Sequence, residues 1–378
     1  MSSKDDFIFK KTNLLRTPSG RSILKSGLLK DQKYSLFKYY LNQSKREYLG
    51  FVQRYKDGIY QLINSDQSPI ETHRRFIAEV GNTKELELEI DQILSIRERM
   101  TGRDIVYDMI DRILNSNFVK MTFPVFFALY DGYASKMSLN DQKLRDNVID
   151  GHLIAIDLSE PMDRILDRDE DLEFLDDYKF LNPYILLLAK QKIRELGSDI
   201  FKEFEAGFVD ALLGQKIDYE LKTNSLDLTY DNLELSYKKY RSVLGTAGKN
   251  MCLNQKPLSE IYYIGMAKAA ESVGCGNEIQ DAITNRGIKS PSWPLFYSIL
   301  TGDVKSGFRL TLEKSRTYLS EAYLALEMLE DDFKTKPYLE FLFLTVGHYN
   351  EFWYRELTAN RPELLEKFQN DLKVTLDK

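Results

Sequence analysis

Gly207-Phe-Val-Asp-Ala-Leu-Leu-Gly-Gln-Lys-Ile-Asp218 is the stretch on which the reading of the fold turns. Its apolar residues Phe208, Leu212, Leu213 and Ile217 recur at steps of three and four, the period of a helix with one apolar side. Gln215 and Asp218 are three apart and therefore leave that helix on one face. The same period continues in both directions along the chain, and no apolar-polar alternation runs long enough for a sheet. The chain is predicted to be all-α.

Upstream, a helical pattern from Tyr34 to about Ile63 is followed by Ser68-Pro69, which opens another helix. A charged amphipathic helix is expected over 82–98 and another from about Thr101. The apolar run from Phe118 to Gly132 reads as a helix with Pro124 in its first turn. Ser138 to Asp141 caps the helix that follows, which reaches Leu158. Downstream, helices are expected at 183–196, 198–220, 232–252, 257–274, 276–285, 292–301, 304–330, 337–355 and 361–376. Residues 1–75 read as a basic, Tyr-rich and partly helical extension, and 76–378 as one large helical domain.

Composition narrows the function. Of 378 residues, 43% are hydrophobic, enough for a sizeable core, and the net charge of −6 argues against a nucleic-acid partner. Cys252 and Cys275 suit a reducing compartment, no signal-peptide run opens the chain, and no apolar stretch is long enough to span a bilayer. A cytoplasmic location is expected. The 23 Tyr and 21 Phe residues build a thick core or line a cavity whose ring faces stabilise a cation. His73, His152 and His348 are widely separated, and there is no Gly-rich phosphate loop or nucleophile elbow. Chemistry therefore falls to carboxylates and lysines carried on helices.

Those residues come in an order that resembles the trans-isoprenyl diphosphate synthase family and, more distantly, class I terpene synthases. Lys120 to Pro124, ahead of an apolar helix, is similar to the family's basic segment, with Met121 and Phe123 where arginines are usual. Glu160, Asp163 and Asp167 stand where the first Asp-rich motif falls. Gly214-Gln215-x-x-Asp218 resembles Gly-Gln-x-x-Asp. In the next segment, Arg241 or Ser242 takes the place of the diphosphate-binding lysine, with Lys239 a further candidate. Asp281 and Asn285 stand in a thinned second Asp-rich motif, with Ala282 replacing an aspartate, and Lys289 follows.

The resemblance implies a single helical bundle of the isoprenoid synthase type with a central cavity. It implies Mg2+ held by Glu160, Asp163, Asp167, Asp218, Asp281 and Asn285, with Asp163 and Asp281 catalytic. Lys120, Gln215, Lys239, Arg241 and Lys289 are the expected substrate-binding residues. The implied activity is ionisation of a geranyl, farnesyl or geranylgeranyl diphosphate, by a terpene cyclase or prenyltransferase that releases pyrophosphate. Homodimers are common in the family. The thinned motifs suit an alternative, a non-catalytic regulatory or partner subunit of the same fold.

Overall fold

The computed structural model describes residues 32–81, 84–114, 117–166 and 174–376, and all regular structure among them is helical. The chain divides into two compact units. The first takes Tyr40–Tyr130 and Met137–Glu203; the second takes residues 131–136 and 204–376, with 32–39. No helix among the described residues is long and apolar enough to cross a membrane.

In the first unit, α1 (Gln32–Ile63) carries Tyr48, Phe51 and Tyr55 at helical spacing, and all three are fully buried. Phe51 lies 5.8 Å from Phe123 and 5.9 Å from Tyr55, ring centre to ring centre. Much of the helix predicted as an extension is thus core. A buried ring of this size contributes on the order of 1.5–3 kcal/mol. α2 (Pro69–Val80) starts as expected: Pro69 occupies the first turn, and Ser68 accepts the Glu71 N–H. The helix expected over 82–98 is only α3 (Ile90–Arg99), with a single 3-10 turn at Lys84–Leu86 before it. Leu88 instead donates its backbone N–H to His73 Nε2, which holds that segment outside the helix.

α4 (Arg103–Ile113) precedes α5 (Asn117–Met137), where Pro124 lies inside the helix and not in its first turn. Val119, Phe123, Phe126 and Leu129 are buried, so tertiary burial carries the helix through the missing N–H. α6 (Gln142–Asp157) is capped by Asp141, which accepts the Leu144 N–H. α7 (Ser159–Leu166) then places Pro161 in its own first turn, so the proline helps to start a helix and does not kink one. α8 (Leu175–Arg194) packs on α6 and α2.

The second unit is built round α12 (Leu258–Thr284), which packs against α11 (Lys238–Met251), α14 (Val304–Glu327) and α15 (Lys336–Arg355). A break expected near Cys275 is absent. The glycine there gives close approach and not a stop: a Cβ on Gly276 would lie 1.9 Å from Asn350 Oδ1 on α15. Conversely, the helix expected over 232–252 is two, α10 (Tyr230–Ser236) and α11, parted at the buried Tyr237. α13 (Trp293–Thr301) and α16 (Pro362–Leu376) complete the unit. Phe308, Trp353, Leu357 and Phe368 form one core cluster, and Leu221, Tyr237, Cys275 and Trp293 another.

Candidate functional site

The opening stretch lies on α9 (Ser198–Lys222), and its glycines decide what it touches. A Cβ on Gly214 would stand 2.3 Å from the backbone nitrogen of Lys239, and one on Gly207 would stand 2.1 Å from Thr246 Oγ1. The two glycines are seven residues apart on α9, as are Lys239 and Thr246 on α11. That spacing is two turns in each helix, so the glycines form a strip on which α11 lies. One turn beyond Gly214 the same packing brings Asp218 to Lys239.

Asp218 is nearly buried, with 9% of its side chain exposed. Lys239 Nζ lies 2.8 Å and Lys222 Nζ 3.2 Å from the same oxygen, Oδ2. Burial works to raise the Asp218 pKa, but the two ammonium groups outweigh it and hold the carboxyl below its ordinary range. Asp281, on α12, is half-buried; burial raises its pKa, and Lys289 and Lys222 act on it in the opposite sense. Asp218, Lys222 and Lys239 are thus in contact, and Asp281 feels the charge of Lys222 and of Lys289.

Glu278 also stands on α12. The residue keeps part of its surface open, but its carboxyl is packed among protein atoms, and that desolvation pushes its pKa up to about 8. Tyr237 donates its hydroxyl to one carboxyl oxygen at 2.8 Å and the Trp293 N–H donates to the other at 2.9 Å. Glu278 lies three residues before Asp281, one turn back on α12. It was not among the expected site residues, and neither was Lys222.

The other expected residues fall elsewhere. Gln215 is half-buried beside Gly214. Asn285 caps the end of α12 with its side chain exposed, and its backbone N–H donates to the Asp281 carbonyl at 2.9 Å. Arg241 pairs with Glu271, which is fully buried, and with Glu234. Lys268 bridges Glu271 and Glu321, and Lys314 pairs with Glu234 beneath the rings of Trp293, Tyr230 and Tyr318. Three cations meet three carboxylates in that network, so it is electrically closed. Ser242 is buried.

Lys120, Glu160 and Asp163 lie on helices whose geometry at these side chains is not described, and Asp167 lies outside the described residues. On α6 the aspartates Asp150 and Asp157 are both fully buried. Asp150 holds Arg54 at 2.6 Å and Lys192 at 3.2 Å, and Asp157 accepts the Tyr55 hydroxyl at 2.9 Å. These are interior bonds within the first unit.

Among the described residues no three His, Cys, Asp or Glu side chains come together to hold a metal ion. The donor chemistry agrees with that in the second unit: Asp218 already shares one oxygen between two lysines, and Asn285 brings no charge. As arranged, the cluster fits an anion better than a resident magnesium ion. Two shallow grooves on the second unit, of about 250 Å³ beside Tyr323 and Lys336 and about 200 Å³ beside His348 and Arg355, are lined by none of the expected site residues. Comparison with family models, with curated proteins and with solved structures finds no match to this chain.

Proposed function

We propose that this chain is a divergent class I terpenoid protein of the isoprenoid synthase type, which receives the diphosphate group of a prenyl substrate at the α9–α11–α12 cluster. One observation carries the reading. Lys239 from α11 and Lys222 from α9 close on one oxygen of Asp218 in the second unit, and Lys222 and Lys289 both act electrostatically on Asp281. A solvated helix edge has no reason to gather them.

In this reading Lys222, Lys239 and Lys289 donate to the phosphate oxygens and offset the negative charge that develops on the departing pyrophosphate. Asp218 keeps Lys239 and Lys222 together and charged before the ligand arrives. Magnesium is the cofactor the resemblance implies. The described donor set does not fit it as a resident ion, since Asp218 is held by two lysines and Asn285 brings no charge. A second reading, a non-catalytic partner subunit, is favoured by Arg241, whose guanidinium is committed to Glu271 and Glu234.

The two readings part in one assay. Purified protein is incubated with geranyl, farnesyl or geranylgeranyl diphosphate, with and without magnesium, while pyrophosphate and hydrocarbon products are followed. Pyrophosphate release that collapses in a Lys239→Gln variant is the expected result. Folded protein that neither binds nor cleaves any of the three is the partner subunit.

A further inference from the structure

We infer that the groove between α14 and α15 is the seat of the chain's own N-terminal segment, with Ile23-Leu24-Lys25 and Leu28-Leu29-Lys30 as the parts that dock.

The groove joins apolar surface to an acidic rim. It measures about 250 Å³ and is lined by Tyr323, Leu326, Glu327, Lys336, Glu340 and Leu344. Beside Glu327, Leu324 and Met328 stand one turn apart on α14 and leave 59% and 66% of their surface to solvent. Lys336 is the one cation of the lining, and it is already engaged: its Nζ donates to the Leu329 carbonyl at 2.9 Å and to Asp331 at 2.8 Å. Glu327 and Asp332 are exposed and hold no ion pair among the described residues. Exposed apolar side chains next to uncompensated acids suit a ligand that brings apolar groups and cations together.

The first 31 residues have that composition. They carry seven Lys and Arg against three Asp, so with a whole-chain charge of −6 the remaining residues stand at −10. Four times an apolar pair is followed at once by a cation: Ile8-Phe9-Lys10, Leu14-Leu15-Arg16, Ile23-Leu24-Lys25 and Leu28-Leu29-Lys30. The last two lie closest in sequence to Gln32, where the described chain begins.

That beginning leads to one end of the groove. α1 and α5 run in opposite directions, because Tyr48 and Phe51 meet Phe123 whereas Tyr40 meets Phe127. Followed back from Tyr40, α1 heads toward residues 131–136 at the end of α5, and residues 32–39 share the second unit with them. The end of α5 is in turn fastened to the turn that opens the groove. Lys334 Nζ lies 2.9 Å from Asp131, Lys136 Nζ lies 3.1 Å from Glu330, and a Cβ on Gly132 would stand 2.4 Å from Thr335 Oγ1. Lys336, the first groove residue on α15, follows directly. From Lys336 to Leu344 is two turns, about 12 Å, a length that the eight residues from Ile23 to Lys30 cover even when coiled as a helix.

Carbodiimide coupling of the full chain, with heavy- and light-isotope protein mixed beforehand, tests this by joining amines only to carboxylates they touch. Amide links from Lys25 or Lys30 to Glu327, Asp332 or Glu340 within one chain are the expected result. Leu28→Asp with Leu29→Asp keeps both lysines and cuts the yield about tenfold, because two leucines leave an apolar seat. Glu327→Lys, at an exposed position where folding is not at stake, lowers the yield at Glu340 by reversing a charge on the rim. The absence of such links overturns the inference, as does a yield that neither substitution changes. Links found only between heavy and light chains also overturn it and give the groove to the segment of a second copy.

Discussion

Lys239 and Arg241 stand two residues apart on α11 and do different work. Two residues on a helix are separated by about 200° of rotation, so they face opposite ways. The spacing left open which of them, or Ser242, occupied the diphosphate position, because one sequence does not report the rotation of α11 about its axis. The contact between Gly214 and the Lys239 backbone supplies that rotation and turns Lys239 toward Asp218. Arg241 then faces the closed network, where burial works against its charge and Glu271 and Glu234 restore it. Arg241→Ala leaves the buried Glu271 one cation short and is expected to cost about 3 kcal/mol of stability, discounted for the part of Arg241 that reaches solvent. Pyrophosphate affinity of the folded fraction stays unchanged. A thermal melt paired with a binding isotherm separates the two effects, and an Arg241→Ala protein of normal stability that no longer binds would return Arg241 to the site.

At the scale of elements, most helices were legible because their apolar residues repeat at the helical period and their starts carry side-chain caps. Ser68 and Asp141 both accept a backbone N–H at the starts expected of them. The misreadings share one physical cause: glycine, proline and short polar runs speak of local preference, whereas packing decides whether that preference is used. Gly276 stands beside an expected break at Cys275 and serves instead as a contact for Asn350; Pro124 reads as a start and lies mid-helix under a buried apolar face. Gly-Gln-x-x-Asp is the clearest case. Its most informative residue is Gly214, which sets the closeness of α9 and α11, and not Gln215.

Gly214→Ala drives a methyl group against backbone, which has no rotamer to yield, and is expected to destabilise by about 2 kcal/mol or more despite alanine's better helix propensity. Gly50→Ala, on an exposed turn of α1 where the nearest atom is the end of the Arg54 side chain, is expected to stabilise by about 0.5–1 kcal/mol. Melting temperatures that move in the same direction for both variants would mean that α9 does not lie on α11 by its glycine strip.

The two units of the whole molecule carry buried titratable groups of opposite sense, and this predicts their response to pH. In the first unit burial lowers the pKa of His73 to about 4 and of His152 to about 3. Unfolded histidine titrates near 6.5. Between those values the unfolded chain takes up protons that the folded unit refuses, so stability is lost as pH falls from about 6.5 toward 4. His73 has a specific reason to stay neutral, since its Nε2 accepts the Leu88 N–H at 3.1 Å. In the second unit Glu278, with a pKa of about 8, keeps a proton that the unfolded chain releases near pH 4.3. Stability there is lost as pH rises from about 4.3 to 8. His348, also lowered by burial, opposes this in the second unit but sits in a less buried place. The expected outcome is a thermal transition that broadens or splits as pH is lowered to 5, with the first unit melting earlier, and that closes up again near neutrality. His73→Gln should raise only the early, acid-side transition, and Glu278→Gln, which keeps both oxygen and nitrogen for hydrogen bonding, should flatten only the later one between pH 5 and 8. Calorimetric scans at pH 5, 6.5 and 8 on the three proteins decide it; a single transition that both substitutions shift alike would mean that the units melt as one.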